Sequence, residues 1–212
     1  MSSVIDVIGF ILKGGIVSLE LFAITAVLSV PVGILVALGK ISKNKILSSL
    51  LGLYTWAFRG SPLILQLFFI YFGLPALNIR LEAMTAASLA FVLNYAAYLA
   101  EIFRAGIQSV DFGQLEASKA LGMSYRQSMQ RIIIPQAFRN VLPPICSESI
   151  NLIKDTSLIA IIGVGDLLRA SKEVVTHNFT IYPFLIAGMA YLVISTLLVL
   201  FFNRIEKRYS VY

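Results

Sequence analysis

Residues 111–144 read DFGQLEASKALGMSYRQSMQRIIIPQAFRNVLPP, a hydrophilic interruption in a chain otherwise dominated by long apolar runs. Asp111, with Gln114 three residues on, has the spacing of a helix N-cap and its reciprocal partner, and a short helix is expected from there to about Leu121. Gly122 stands where a left-handed residue would end that helix. Ser124 and Gln127 repeat the capping-box spacing and start a second helix. Pro135 and the pair Pro143-Pro144 limit or kink the chain beyond it, because proline removes a backbone donor. The segment predicts two short helices joined by a sharp glycine turn, with Leu115, Met123, Met129, Ile132 and Ile133 among the charges. By itself this pattern also suits an amphipathic connector lying on a membrane surface.

The flanks of the loop decide between a soluble and a membrane setting. Of 212 residues, 58% are hydrophobic and only 13% charged, with a mean hydropathy of +0.85. Soluble domains carry about 25% charged residues. Uncharged runs cover residues 21–39, 83–100 and 178–203. A helix needs about 20 mostly apolar residues to cross the hydrocarbon core. Every backbone group must be paired in lipid, and these runs lack the alternation of barrel strands, so they read as helices. The chain is expected to be an all-α polytopic membrane protein with five transmembrane helices, at about residues 16–39, 62–77, 83–107, 141–163 and 182–205. The apolar region 46–77 is too long for one straight crossing and is interrupted by Arg59-Gly60-Ser61-Pro62. A cytoplasmic helix to about Phe58, a break, and a crossing that starts at Pro62 are expected there, since proline costs little in a first helical turn.

Charge placement sets an orientation. With the N-terminus outside, the inner segments hold Lys40, Lys43, Lys45, Arg59, Arg104, Lys119, Arg126, Arg131, Arg139, Arg204, Lys207 and Arg208. The outer ones hold only Lys13, Arg80, Arg169 and Lys172. This asymmetry predicts N-out and C-in, and accounts for the net charge of +6 without a nucleic-acid partner. No basic N-terminal cluster precedes a short apolar core and cleavage site, so no cleaved signal peptide is expected. The lone Cys146 permits no intrachain disulfide, and the lone His177 permits no multi-histidine metal site. No phosphate-binding glycine loop with its lysine is present, nor a nucleophile with a histidine base, so the chain is not expected to be an enzyme and carries no cofactor of its own.

Glu116-Ala117-Ser118, then three residues, Gly122, nine residues, and Ile132-Ile133-Ile134-Pro135 resemble the E-A-A-x3-G-x9-I-x-L-P loop of membrane permease subunits in ATP-binding cassette (ABC) importers. Ser118 replaces the second alanine and Ile134 the leucine. Arg59-Gly60-Ser61-Pro62-Leu63, Glu101-Ile102-Phe103-Arg104-Ala105-Gly106 and Pro135-Gln136-Ala137 further resemble the polar amino-acid branch, which includes histidine, glutamine, arginine and cystine permeases. The resemblance implies the type I ABC importer permease fold, one transmembrane permease domain over residues 1–212, and a cytoplasmic coupling helix within a loop at about 111–140. It implies that the loop enters a cleft on a separate ABC ATPase, which carries ATP and Mg. At the matching positions, Glu116 would pair with a basic ATPase residue, Ala117 would permit close approach and Gly122 would set the turn. The implied partners are cytoplasmic ATPase subunits, a second permease subunit (identical or paralogous), an extracytoplasmic solute-binding protein, an amino acid solute and membrane lipid. The implied location is the bacterial plasma (inner) membrane.

Polar residues at membrane depth are costly and mark candidate pathways. At 100° per residue, Glu148, Asn151 and Asp155 fall on one stripe of the fourth span, while Asn94, Tyr98 and Glu101 fall on one stripe of the third. Facing each other, Glu148, Asn151, Asp155, Asn94 and Tyr98 would line a solute pathway. The acids would accept from an α-ammonium, and Asn94 with Tyr98 would donate to the α-carboxylate. Two acids against Lys154 tilt such a site towards a cationic solute. Structural roles compete: Glu101 could simply neutralise Arg104 one turn on, Lys154 could pair with an acid on another helix or subunit, and Tyr71, Tyr95 and Tyr98 could be packing aromatics, with Gln66 a weaker candidate of the same kind. Residues 163–180, with Asp166, Arg169, Lys172 and Glu173, suit either a surface helix or a docking surface for the binding protein. An ATP-independent channel or secondary carrier, or a membrane enzyme using Glu148 or Asp155, would leave the loop motif unexplained.

Overall fold

A computed structural model describes residues 4–209, and every regular element among them is helical. Helix α1 (Val4–Ile41) is followed by α2 (Lys45–Gly60), α3 (Leu63–Phe68) and α4 (Ala83–Gln108). The loop supplies α5 (Phe112–Ala120) and α6 (Tyr125–Ser128), and the chain then runs through α7 (Ile134–Asp155), α8 (Leu167–Asn178) and α9 (Tyr182–Tyr209).

Helices α1 and α4 pack side by side along their length and form the centre. In lipid, helix association depends on close van der Waals packing, which small residues allow. The buried face of α1 carries Gly14, Ser18, Thr25, Ser29, Gly33 and Ala37, and that of α4 carries Ala86, Ala87, Ala90, Ala96, Ala97 and Ala100. A Cβ on Gly33 would lie 2.9 Å from the Leu99 Cβ and 3.2 Å from the Ala96 carbonyl oxygen. Helix α9 is peripheral, with Leu185, Met189, Leu192, Val193, Leu197 and Leu200 exposed. That is the surface of a protein whose solvent is hydrocarbon.

Helices α1, α4 and α9 are long and apolar enough to cross a membrane, and α2 with the segment Leu63–Leu77 adds a fourth crossing if that bent pair is one span. The segment expected as the fourth of five spans is α7 continued by a 3-10 turn, Thr156–Ile162, which ends at Gly163 (φ 89°). Glu148, Lys154 and Asp155 make it too polar to qualify on composition. Helix α1 begins well before residue 16, because Gly14 and Gly15 are needed inside the bundle: a Cβ on Gly14 would sit 2.5 Å from the Asp166 carbonyl oxygen. Proline spacing explains two irregularities. Both π turns, Phe69–Gly73 and Met129–Ile133, end one residue short of the pair Leu74-Pro75 or Ile134-Pro135. The residue before each proline bonds five residues back (Leu74 N to Phe69 O, Ile134 N to Met129 O), shifting the ladder where the proline cannot donate.

The break after α2 falls at Ser61 and Pro62 as expected, with a bend of 103°. Helix α2, however, is not a detached cytoplasmic helix. The Tyr54 hydroxyl donates to the Leu93 carbonyl of α4 at 2.6 Å, and the end of α2 meets Asn94, about 16 Å along α4 by helical rise. The chain therefore turns inside the bundle, level with the middle of α4.

Candidate functional site

A helix broken inside a bundle leaves its last carbonyls without intrahelical partners, and in an apolar setting those must be satisfied. Side chains meet two of them, at Phe58 and Arg59, and reinforce the Ala57 carbonyl, which also accepts from the Ser61 N–H at 3.1 Å. The Ser61 hydroxyl donates to the Ala57 carbonyl at 2.7 Å. The Asn94 amide donates to Phe58 O at 2.9 Å and to Gln66 Oε1 at 3.1 Å, while Gln66 itself donates to Phe58 O at 2.9 Å. The Tyr98 hydroxyl donates to Arg59 O at 3.3 Å.

The broken corner forms one wall of a cavity of about 620 Å³. Arg59 to Ile64 line it on one side, with Asn94, Tyr95 and Tyr98 from α4 and Glu148, Asn151, Lys154 and Asp155 from α7. The structure thus brings together all five residues expected to line a pathway: Asn94, Tyr98, Glu148, Asn151 and Asp155. Their chemistry differs from the sequence expectation at Asn94, whose amide hydrogens are spent on Phe58 and Gln66, and at Tyr98, whose one hydroxyl hydrogen goes to Arg59 O. Asn94 builds the wall; it has no donor left for a solute carboxylate. Arg59, taken from sequence as an inner-loop charge, lies in the cavity with its guanidinium carbon 5.3 Å from the Tyr98 ring centroid. Tyr95, expected to be a packing aromatic, donates its hydroxyl to Asp155 Oδ2 at 2.7 Å and ties α4 to α7. The tilt towards cations also changes, since Arg59 and Lys154 now stand against Glu148 and Asp155.

A second hollow of about 530 Å³ shares Arg59, Tyr98 and Glu148 with the first and continues past Glu101 and Arg104 to Ser109 and Asn140. The two adjoin at those shared residues and form a groove, with charged and polar side chains among apolar ones, from the broken corner to the end of the bundle that carries the loop. Glu101 does pair with Arg104, at 2.8 Å, but it also pairs with Lys40 of α1 and accepts from Thr55 of α2 at 2.9 Å. Lys40 lies 61 residues from Glu101, so no local pattern shows this pair.

At the end of the groove the loop folds as two helices around Gly122. Asp111 caps α5 by accepting from the Gly113 N–H at 2.6 Å, not through a reciprocal bond with Gln114. Gly122 has φ 75°. Its N–H bonds to Lys119 O at 2.9 Å, and the Met123 N–H bonds to Ser118 O at 3.0 Å, the paired bonds of a Schellman turn. Ser124 and Gln127 form the full capping box. Ser118, where the loop motif has alanine, is buried and shares a 2.7 Å hydrogen bond with Ser128, locking α5 to α6. Glu116 and Ala117 are exposed on α5, beside exposed Phe112, Leu121 and Tyr125. At the opposite end, Asp166 is buried and caps α8 through the Leu168 and Arg169 N–H groups. Desolvation by burial pushes its carboxyl above the usual 3.8.

A helical membrane protein with charged and polar side chains lining a groove between its helices has the architecture of a transport component. The chain belongs to the family of binding-protein-dependent transport system inner membrane components, which it matches over residues 29–211. It is 39% identical over 210 residues to the arginine transport system permease protein ArtQ of Bacillus subtilis (strain 168), covering 98% of this chain and 95% of that protein. It is 38% identical over 202 residues to the putative glutamine transport system permease protein GlnP of Rickettsia prowazekii (strain Madrid E), covering 94% and 92%. Among solved structures, an amino acid ABC transporter crystallised with histidines superposes with a TM-score of 0.90 at 33% identity, covering 98% of this chain and 100% of that one. The MetNI methionine ABC transporter shares the fold, with a TM-score of 0.76 at 18% identity, covering 99% and 100%. The chain is thus a multi-pass inner-membrane permease subunit of the amino acid ABC importer class. That class implies ABC ATPase and permease partners. Neither the relatives nor the structure favours an ATP-independent carrier.

Proposed function

We propose that this permease passes a polar amino acid, delivered by an extracytoplasmic binding protein, through the cavity between α4, α7 and the α2–α3 corner, driven by ATP and Mg bound to a separate ATPase. The observation that carries the reading is the charge arrangement of the 620 Å³ cavity: Glu148 and Asp155 against Arg59 and Lys154. Two acids and two cations suit the zwitterionic head of an amino acid, with Glu148 and Asp155 accepting from the α-ammonium and Arg59 donating to the α-carboxylate. Asn151 supplies further polar capacity beside Glu148 on α7. The cavity is open towards Arg59, Asn151 and Lys154, which are exposed in the single chain, and a second permease subunit would complete it there. Glu116, Ala117 and Gly122 form the contact with the ATPase. The loop end is cytoplasmic and the α8 end external, because Lys43, Arg126, Arg131 and Arg208 cluster at the loop end.

The test is uptake of arginine, glutamine or cystine into proteoliposomes holding the permease with its ATPase and binding protein. Glu148→Gln preserves shape and removes a charge. It should lower uptake by about 10- to 100-fold, the equivalent of about 1.5–3 kcal/mol for a bond to a charged group, with assembly retained. If uptake and solute preference stay unchanged in Glu148→Gln and again in Asp155→Asn, the stripe is structural and the proposed site is wrong.

A further inference from the structure

The loop and the cavity are separated by most of the groove, yet a series of side-chain bonds runs from the last turn of α4 to α2, whose backbone continues to the cavity rim. Starting at the last turn of α4, next to the loop, Gln108 Oε1 accepts from Arg104 Nη1 at 2.5 Å. Arg104 Nε donates to Glu101 Oε2 at 2.9 Å. The other carboxylate oxygen of Glu101 accepts from Lys40 of α1 and from the Thr55 hydroxyl of α2, the latter at 2.9 Å. Lys40 also donates to the Thr55 hydroxyl at 2.6 Å. One helical turn beyond Thr55 lie Phe58 and Arg59, whose carbonyls are held by Asn94 and Tyr98. Thr55 is 2% exposed and the Glu101 side chain 15%, so the bonds among Glu101, Lys40 and Thr55 are made largely away from water, where they are strong and costly to leave unpaired. At the base of the series, the Asn140 amide of α7 donates to the Ser109 hydroxyl at 2.8 Å, fixing the start of the loop to the helix that bears Glu148.

We propose that Glu101 is a positioning residue at the centre of a polar relay, through which displacement of the loop is transmitted to the cavity rim at Arg59. Glu101 joins three helices at one carboxylate: α4, which leads directly into the loop, α1, and α2, whose end carries the rim. Coupling between distant sites is carried by such contiguous hydrogen-bond networks on rigid elements. Tyr54, Asn94 and Tyr98 tie α2 to α4 near the corner, and the Glu101 carboxylate adds the tie nearer the loop that also includes α1. Without it, the loop end of α4 can move with less effect on α2 and the rim. The relay rests on the chain acting as the permease half of an ATP-driven importer. That premise has its own control: the wild-type complex must show solute-stimulated ATP hydrolysis, and if it shows none the failure lies with the importer reading.

The experiment uses the reconstituted complex with whichever of arginine, glutamine or cystine the wild type carries. Glu101→Gln should lower solute-stimulated hydrolysis by about 5- to 150-fold, the usual span of coupling between sites. Unstimulated hydrolysis, co-purification of the ATPase and half-saturation by solute should remain near wild type. A merely structural carboxylate would instead lower all of these together. The double variant Lys40→Met/Glu101→Gln removes one cation with the acid and so relieves much of the buried charge imbalance without rebuilding the bonds; it should remain uncoupled, and recovery would overturn the relay. If Glu101→Gln fails to assemble, Thr55→Val decides, since it keeps both charges and removes only the hydroxyl. It should reduce stimulation several-fold with assembly intact. Full stimulation in Thr55→Val overturns the proposal.

Discussion

Gly122 offers the sharpest test of the loop, because its substitution has a single physical consequence. Its φ of 75° lies in the left-handed region, and a Cβ built there meets nothing within 4 Å. A Cβ would therefore clash with no neighbour; the cost it brings is backbone strain, about 1–2 kcal/mol for an ordinary L-residue. That strain acts on a turn held by two bonds, Gly122 N to Lys119 O and Met123 N to Ser118 O. Against those bonds, 1–2 kcal/mol corresponds to a factor of about 5–30 in the population of the hairpin. Gly122→Val should thus reduce solute-stimulated hydrolysis and uptake by that factor, while the subunit still inserts in the membrane. Gly122→Asn should cost much less, because asparagine visits the left-handed region readily. The assay is stimulated ATP hydrolysis in proteoliposomes, with membrane insertion followed in parallel. Normal stimulation and uptake in Gly122→Val would refute the role of the turn, and equal losses in Val and Asn would refute its explanation by strain.

Gly14→Ala should destabilise the detergent-solubilised protein by about 1–3 kcal/mol through overpacking, since its Cβ would meet the Asp166 backbone at 2.5 Å. Gly188→Ala, with open space around it in α9, should be neutral or stabilise by up to about 1 kcal/mol; thermal unfolding reads both, and equal effects would refute the close α1–α8 approach. The raised Asp166 carboxyl pKa favours the protonated form in the folded state. Its contribution to stability is full below the unfolded value and lost as pH rises through the folded one. Asp166→Asn should therefore flatten the pH dependence of unfolding above pH 3.8, and an unchanged profile would contradict the burial effect. In a Cys146→Ser background, Lys172→Cys should react with an impermeant thiol reagent in sealed right-side-out cells while Lys43→Cys and Arg126→Cys stay protected. Labelling at position 126 would overturn the orientation.

The local features were legible in the sequence because each rests on neighbours along the chain. Uncharged runs gave α1, α4 and α9, Gly122 gave the turn, and Ser124 with Gln127 gave the capping box. The break at Ser61-Pro62 was legible for the same reason. The hidden features were non-local. The early start of α1 depends on Gly14 meeting Asp166, and the setting of Glu101 depends on Lys40 and Thr55 from two other helices. Asp111 illustrates the limit even at short range: the spacing to Gln114 fits a capping box, but the carboxylate accepts from the Gly113 N–H while the Gln114 N–H bonds to the Asp111 backbone carbonyl.

Arg59 shows why a charge beside a helix break is easily misassigned from sequence. A basic residue flanking an apolar run is read as marking the membrane edge, and Arg59 precedes Gly60-Ser61-Pro62 as such a marker would. A break inside the bundle reverses that reading. The carbonyls freed by the bend need donors at that depth, so Asn94, Gln66 and Tyr98 are drawn to the corner. The same bend carries the Arg59 side chain into the space between α4 and α7, where Glu148 and Asp155 supply opposite charge. The polar residues of α4 thus maintain the corner while those of α7 and Arg59 line the cavity. Substitution of Asn94 should accordingly perturb the fold of the α2–α3 corner as well as transport, whereas substitution of Glu148 should perturb transport alone.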